Sequence, residues 1–590
     1  MRLSTSERIR QYILVHGHVI YLIVAWLLTA VEIDYVIGMT DYMSFLSPLA
    51  LVQSLVWGAV MLLPLIILPR RLRWIQLVVF CLLAVFNAAN CFYYRNFENF
   101  IPLRALGMWQ GVNEFTLNAV RSTAVWTDLL IPVVLVLQLW LFRRFMHKSG
   151  RGLGLKQSVF VAVVVCGSVV MLQSYRYWRF WTTPAAYSKD FKSVDSFTAL
   201  TGTATDFDRK GYFEMYILQA VDIITPTPDL SEDELNEIGE IVEHGRDRGA
   251  DMLTDSITNA NHGKNLIFIV VESLNSSALG HNLHGKSLTP VLDSLKSSPD
   301  VLCFDNMRSQ ALLGESSDGQ FIYNSGLYPL IGQITMSVEH DGPFPSICRE
   351  LAGYTTCEYI GEDKDVWFHG ESSKAYGYDS LHEKLASDAG DRSDDAILDA
   401  SLSGIKKMPG PFFAFITTAS MHMPFDSYGD SIPSDWPMSE SAYGYLLKTG
   451  IFDNALGRFI EGLKQAGIYD DSVIVLASDH QVPYGSVRDA AIEDGRITLM
   501  ILNSGLPGGM DSRVIGQIDV YPTVLDVMGV KAPRWPGMGQ SLIRNVPGFA
   551  VLNGTEVVGD TADTAAIERQ KRCWQLSDRM IKTNTFPSLH

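Results

Sequence analysis

Zinc-type cysteine spacing is missing from this chain. None of its seven cysteines falls in a CxxC pair or in a Cys/His pattern suited to a structural zinc. Positive charge is short as well: 47 Lys and Arg stand against 64 Asp and Glu, a net of −17 that comes mainly from the later part of the chain. That balance argues against a nucleic-acid-binding surface. Internal repeats and low-complexity tracts are absent, which excludes a repeat array. An acidic domain above anionic lipid gains nothing from general attraction, so an anionic substrate calls for a local site, a metal first of all.

What the chain does have is an uneven spread of apolar residues over a length of 590 that requires at least two folding units. Five apolar stretches in the first third approach the roughly 20 helical residues that cross a bilayer core. They run about His18–Ile37, Phe45–Leu68, Trp74–Phe92, Leu129–Phe142 with its flanks, and Val159–Leu172 with its flanks. The first has no small-residue cleavage site and more spans follow it, so it reads as a membrane helix and not as a removed signal. Three basic clusters then share one side: Arg2, Arg8 and Arg10; Arg70, Arg71 and Arg73; and Arg143, Arg144, Lys148, Arg151 and Lys156. The positive-inside rule makes that side cytoplasmic, and five spans place everything after about Ser174 outside. The loop Tyr93–Thr127 falls outside too, its Arg95, Arg104 and Arg121 offset by Glu98 and Glu114. Beyond the fifth span, Tyr175-Arg-Tyr-Trp-Arg-Phe-Trp181 mixes aromatic rings with arginine, as suits the headgroup zone and its phosphates.

Four domains follow from this pattern: a transmembrane domain over 1–175, a juxtamembrane helical linker over 176–263, a catalytic domain over 264–545 and a C-terminal extension over 546–590. The linker is polar and acidic from Asp222 to His262, with Pro226 and Pro228 near its start. Cys81, Cys91 and Cys166 lie in apolar runs. Cys303, Cys348, Cys357 and Cys573 lie in the soluble part, an even number that permits disulfides in an oxidising compartment, with Cys348–Cys357 the first pair expected.

From about Lys264 short β-rich runs alternate with helical patterns. The runs include Leu266–Val271, Phe412–Thr417, Val473–Ala477 and Ile497–Leu502, and Ala455–Ala466 is one of the helices. Such alternation predicts an α/β domain with a mostly parallel sheet covered on both faces, whose ligands gather beyond the carboxyl ends of the strands. Reactive side chains fall there repeatedly: Glu272 ends one run, Asp479 and His480 end another, His422 follows a third, and His369 follows the strand expected around Glu358–Ile360. Each alone reads as a helix cap, a solvated turn or a bonded core histidine. Four such endings in one sheet point to a site. Gly314-Glu-Ser-Ser-Asp-Gly-Gln320 leads into a helix, where unpaired N–H groups and the dipole favour a phosphoryl group, although Ser and Asp are also ordinary N-cap residues.

Together, Val-Val-Glu-Ser at Glu272, the Gly314–Gln320 segment, His-Met-Pro-Phe at His422 and Ser-Asp-His at 478–480 resemble the lipoteichoic acid synthase branch of the alkaline phosphatase/sulfatase superfamily. The resemblance covers about Asn265–Leu542, including Gln517-Ile-Asp-Val-Tyr-Pro-Thr523 and Gly537-Met-Gly-Gln-Ser541. It implies an alkaline-phosphatase-like fold outside the membrane. It makes Ser316 the nucleophile, where relatives usually carry threonine, with Ser317 as a rival by sequence alone. It implies that Glu272, Ser316, Asp479 and His480 hold one divalent metal, and that His369 and His422 contact the phospho-group or move a proton. Such an oxygen-rich ligand set suits Mn²⁺ first, then Mg²⁺ or Zn²⁺.

The implied reaction moves glycerol phosphate from a membrane phospholipid, phosphatidylglycerol, to a glycan, glycolipid or polymer acceptor. One alternative is phosphoethanolamine transfer from phosphatidylethanolamine to lipid A or a glycan. Another is a sensor or scaffold with a degenerate enzyme domain. A formylglycine sulfatase is excluded, because neither Cys303, Cys348 nor Ser316 lies in a C/S-x-P-x-R pattern. Relatives that polymerise glycerol phosphate carry a Trp and an Arg soon after the His-Gly pair. Here His369-Gly370 is followed by Glu-Ser-Ser-Lys-Ala-Tyr-Gly-Tyr, in which Lys374 is the candidate phosphate contact.

Overall fold

A computed structural model describes residues 5–38, 48–97, 99–107, 123–146, 155–182, 211–249, 252–283, 285–386, 390–425, 432–433, 436–483 and 486–587. Arg2, Glu98, Glu114, Arg121, Lys148 and Arg151 of the orientation argument lie outside them. The chain divides into two compact units, one of Met1–Leu106 with Glu114–Pro226, the other of Gly107–Asn113 with Thr227–His590.

The first unit contains α1 (Thr5–Ile37), α2 (Pro48–Ile66), α3 (Trp74–Phe97), α4 (Leu130–Met146), α5 (Leu155–Thr182) and α6 (Tyr212–Ile224). Among the described residues four helical segments are long and apolar enough to cross a membrane: His16–Ile37, Trp74–Arg95, Trp126–Phe145 and Lys156–Arg176. Among the described residues the second expected span forms a shorter apolar helix, Leu51–Ile66. Helix α6 groups with this unit although the sequence places it in the linker, and polar bonds explain why. The Tyr212 hydroxyl donates to Asn87 Oδ1 at 2.9 Å, and Glu214 accepts from Trp57 Nε1 at 2.9 Å and Gln173 Nε2 at 2.8 Å. Arg176 also pairs with Glu214 and is buried, so it does not reach out to lipid phosphates as its sequence context predicts.

The second unit is built on a sheet of β1 (Asn265–Val271), β2 (Val301–Arg308), β3 (Thr355–Tyr359), β4 (Ser380–His382), β5 (Phe412–Thr417), β6 (Ser472–Ser478), β7 (Arg496–Leu502), β8 (Gly509–Asp511) and β9 (Ile515–Gly516). Its order is β8-β2-β7-β6-β1-β5-β3-β4, with β9 also paired to β2. All pairings are parallel except those of β7, which runs against both β2 and β6. The middle strands are apolar on both faces, as strands covered by helices on either side must be. Leu266, Phe268 and Val270 of β1 enter one core layer, and Ile267, Ile269 and Val271 enter the other.

That two-sided burial separates the expected cysteine pair. Cys348 belongs to the first layer and Cys357, on β3, to the second; both are free thiols, as are the other five cysteines. The helices that matter below are α7 (Glu232–Gly249), α8 (Ser316–Ser325), α9 (His369–Tyr376), α10 (Ser393–Ile405) and α11 (Glu440–Gln465).

Candidate active site and metal centre

Register places the site. Val271 of β1 lies opposite Ser478 of β6, so the next residues, Glu272 and Asp479, leave the sheet side by side. Their ligand atoms and that of His480 lie within 4.8 Å of one another, all three residues buried. His480 Nε2 is 3.4 Å from Glu272 Oε1 and 3.6 Å from Asp479 Oδ2.

Ser316 opens α8 against this cluster. Its hydroxyl is 3.0 Å from Glu272 Oε2 and 3.1 Å from His480 Nε2. The rival Ser317 instead donates to the Gly314 carbonyl at 2.8 Å. The turn that sorts the two serines is held by Asp318, whose Oδ2 accepts from the N–H groups of Leu312 and Gly314 at 3.0 and 2.9 Å. A Cβ on Gly314 would come within 2.3 Å of the Asp318 carboxylate, so this tight turn requires glycine. Burial pushes Asp318 up to about 6 against those donors.

Other predicted residues approach from neighbouring strand ends. His422 lies in the loop after β5. There Asp394 of α10 accepts from the N–H groups of Ala419 and Ser420 at 2.7 and 3.0 Å, and Lys448 Nζ donates to the His422 carbonyl at 2.8 Å. His422 lies within electrostatic reach of Glu272. His369 begins α9 and is buried, which pushes its imidazole down to about 4. Its Nδ1 is 3.2 Å from Glu362 Oε1, and Glu362 lies within electrostatic reach of Glu272. Lys374 is exposed and sits about 140° around α9 from His369 at 100° per residue. Among the described residues nothing joins Lys374 to the cluster.

Sequence reasoning missed four participants. Glu315 precedes the candidate nucleophile with φ 44° and ψ −117°, and its Oε2 is 3.4 Å from His480 Nδ1; burial pushes its carboxyl up to about 7 against the pull of His480. Gln517 Nε2 donates to the Asp479 carbonyl at 2.5 Å, while its Oε1 accepts from the N–H groups of Gln310 and Ala311. Glu362 touches His369. Ser273 binds both carboxylates of the cluster. Ser273, Glu315 and Gln517 each left a signal, standing beside Glu272, beside Ser316 and at the head of the Gln517–Thr523 motif, and Glu362 left none.

Positive charge is what these converging oxygens call for. Burial works to raise Glu272, yet the hydrogen bond and charge of His480 outweigh it and hold the carboxyl well below its usual range. Asp479 goes the other way, pushed up to about 7 by burial and then by the Glu272 charge. Burial opposes a charge on His480, but Asp479, Glu315 and Glu272 together raise the imidazole well above its ordinary value.

Residues 264–530 match the sulfatase family. Lipoteichoic acid synthase 1 of Bacillus subtilis (strain 168) is 27% identical over 306 residues, 48% of this chain and 48% of that protein. The lipoteichoic acid synthase of Staphylococcus aureus (strain USA300) is 25% identical over 516 residues, 80% of this chain and 75% of that protein. Residues 264–530 thus form a domain of the sulfatase family, and the chain is similar to lipoteichoic acid synthases over that domain and beyond it. It spans about half the length of the Bacillus relative and three quarters of the Staphylococcus one. It is also similar to the crystal structure of the lipoteichoic acid synthase LtaP from Listeria monocytogenes, at 21% identity and a TM-score of 0.47, over 58% of this chain and 98% of that one.

Members of this superfamily use a divalent metal, and the residues of this lipoteichoic acid synthase-like domain fit one. Asp479 is fully buried, yet its Oδ2 has no hydrogen-bond partner. A buried, unpartnered carboxylate oxygen is costly, and a cation is the natural way to satisfy it. The oxygen stands with Glu272 and His480, whose side chains could supply the other ligand atoms.

Proposed function

We propose that the chain is a membrane-anchored, metal-dependent transferase. It takes glycerol phosphate from phosphatidylglycerol and passes it, on the extracytoplasmic side of a bacterial cell membrane, to a glycan, glycolipid or polymer acceptor. The observation that carries this reading is the Ser316 hydroxyl, set at a helix N-terminus within hydrogen-bond reach of both Glu272 and His480. A divalent ion held by Glu272, Asp479, His480 and the Ser316 oxygen, Mn²⁺ in preference to Mg²⁺ or Zn²⁺, would lower the pKa of that hydroxyl and offset charge on the phosphoryl oxygens.

The chain's own groups then account for two half-reactions. In the first, the Ser316 oxygen, its proton already lost to solvent, bonds to phosphorus. The bond from phosphorus to the diacylglycerol oxygen breaks, and diacylglycerol leaves as the alcohol with a proton delivered by His422, while His369, held neutral by burial, contacts the phospho-group. In the second, the His422 imidazole takes the proton of the acceptor hydroxyl, whose oxygen bonds to phosphorus as the bond to the Ser316 oxygen breaks, leaving that oxygen deprotonated for the next turnover. The N-terminus of α8 presents N–H groups to the phosphoryl oxygens throughout. The extracytoplasmic placement is supported by the basic clusters at one end of the apolar segments.

A second reading, phosphoethanolamine transfer, is favoured by a specific observation. Glu315 and Glu362 each set a carboxylate against an imidazole of the site, and carboxylates complement the ammonium of ethanolamine better than they complement glycerol. A degenerate scaffold predicts a broken ligand set, whereas Glu272, Ser316, Asp479 and His480 stand together.

The test is intact mass and peptide mapping of the full-length protein incubated in Mn²⁺ with each lipid. A glycerophosphate adduct on Ser316, absent from Ser316→Ala, is expected. A phosphoethanolamine adduct instead would favour the second reading, and no adduct together with no bound metal would overturn both.

A further inference from the structure

Between the two carboxylates of the cluster stands a residue whose every polar group is engaged. Ser273 is 2% exposed and holds φ at 50°, a left-handed conformation that non-glycine residues avoid. Its N–H donates to Asp479 Oδ1 at 2.8 Å, and its hydroxyl donates to Glu272 Oε1 at 2.7 Å. Its carbonyl accepts from the Tyr445 hydroxyl of α11 at 2.7 Å, which pins the strained turn from behind.

These bonds select oxygens. A carboxylate offers two equivalent oxygens on a free rotor, so something must decide which one faces the cluster. Asp479 Oδ1 takes the N–H groups of both Ser273 and His480, at 2.8 and 2.7 Å, and Oδ2 is left without a hydrogen bond, 3.6 Å from His480 Nε2. Glu272 Oε1 takes the Ser273 hydroxyl and lies 3.4 Å from His480 Nε2, and Oε2 is left to face Ser316 at 3.0 Å. Strain held in place by surrounding contacts is a mark of functional positions. Here it brings a backbone donor and a side-chain donor of one residue onto two different ligands.

Resting on the metal-dependent reading above, we propose that Ser273 is the positioning residue of the metal centre: it turns Asp479 Oδ2 and Glu272 Oε2 toward the ion by occupying their partner oxygens. Residues that hold metal ligands in this way typically change metal affinity by about 10–100-fold when lost.

Two variants of the full-length protein, titrated with Mn²⁺ by calorimetry in detergent, separate positioning from strain. Ser273→Ala removes the hydroxyl and keeps the strained backbone. Ser273→Gly removes the hydroxyl and relieves the strain, since glycine accepts φ of 50° freely. Both are expected to bind Mn²⁺ about 10–100-fold more weakly than wild type, with the thermal midpoint of the metal-free Gly variant unchanged or raised. At saturating Mn²⁺ both should recover Ser316 labelling by the donor lipid, a rescue that general misfolding would not give. Wild-type Mn²⁺ affinity in Ser273→Gly would overturn the proposal while leaving the metal reading intact. Absence of Mn²⁺ binding by the wild-type protein would overturn both. If Ser273→Ala fails to fold, the Gly variant decides alone.

Discussion

Gly319 is the point at which the helix of the proposed nucleophile is pressed onto Asp479, a proposed metal ligand, and replacing it with alanine tests the whole site. A Cβ at this position would lie 2.3 Å from the Asp479 carbonyl oxygen and 2.9 Å from its carbonyl carbon and Cα. Ordinary contact begins near 3.4 Å, so the two backbones must part by about 1 Å. Asp479 cannot swing aside, because its carbonyl accepts from Gln517 Nε2 at 2.5 Å and its N–H donates to the Val271 carbonyl at 3.1 Å. The displacement therefore falls on α8 and carries Ser316, three residues earlier on the same helix.

Hydrogen bonds of 3.0 and 3.1 Å from Ser316 to Glu272 and His480 would stretch to about 4 Å, beyond bonding range. A misplacement of this size costs about 10²-fold in rate. Stability moves less, because overpacking of about 1–3 kcal/mol is partly offset by a gain of about 1 kcal/mol when alanine replaces glycine in a helix. The assay is the single-turnover rate of Ser316 labelling by the donor lipid, read beside the thermal midpoint. Gly239→Ala in α7, where a Cβ meets nothing within 4 Å, is the matched control and should label at the wild-type rate. Wild-type labelling by Gly319→Ala would refute the claim that this close approach positions Ser316.

Two further outcomes are expected. Burial pushes the Glu358 carboxyl of β3 up to about 7 from an ordinary 4.5, its Oε2 lacking any partner, so the fold retains a proton that the unfolded chain releases. This contribution to stability is fully present below about pH 4.5 and is lost as pH rises through about 7, at most about 3 kcal/mol at 1.36 kcal/mol per unit. Glu358→Gln should gain on wild type between pH 5 and pH 8 in thermal midpoint, and an offset equal at both pH values would refute the assignment. Lys374→Ala should change Ser316 labelling by less than about 2-fold, because the side chain projects away from the His369 face of α9. A loss of 10-fold or more would return Lys374 to the phosphate site.

Much of this was legible in the sequence because of where reactive residues stand in strands. Glu272, Asp479 and His480 each follow a run that is apolar on both faces, and the end of such a run in a parallel sheet is where ligands gather. The choice between Ser316 and Ser317 was not legible, since adjacent serines look alike until Asp318 and Gly314 shape the turn. The partners of Gln517 were hidden for a different reason. Gln517 meets the Asp479 carbonyl 38 positions away and Gln310 N–H 207 positions away, and no local pattern encodes such pairings. The expected Cys348–Cys357 pair failed because closeness in sequence says nothing about which side of a sheet a residue faces. The antiparallel course of β7 was equally hidden, because its apolar run reads the same in either direction.

The arrangement of the site reduces to one register and two contacts. Val271 opposite Ser478 sets Glu272 beside Asp479, and side chains alternate along a strand, so a slip of one residue would turn one carboxylate away from the other. The core enforces that register, because the same slip would exchange Phe268 and Ile269 between two packed layers. Gly319 then brings α8 onto Asp479, and Ser273 fixes which carboxylate oxygens face inward. The apolar strand sequence thus builds the metal cluster as a consequence of packing, while the placement of the nucleophile depends on two residues with small side chains. Substitutions in the strands should therefore act through stability, and those at Gly319 and Ser273 through chemistry with the fold intact.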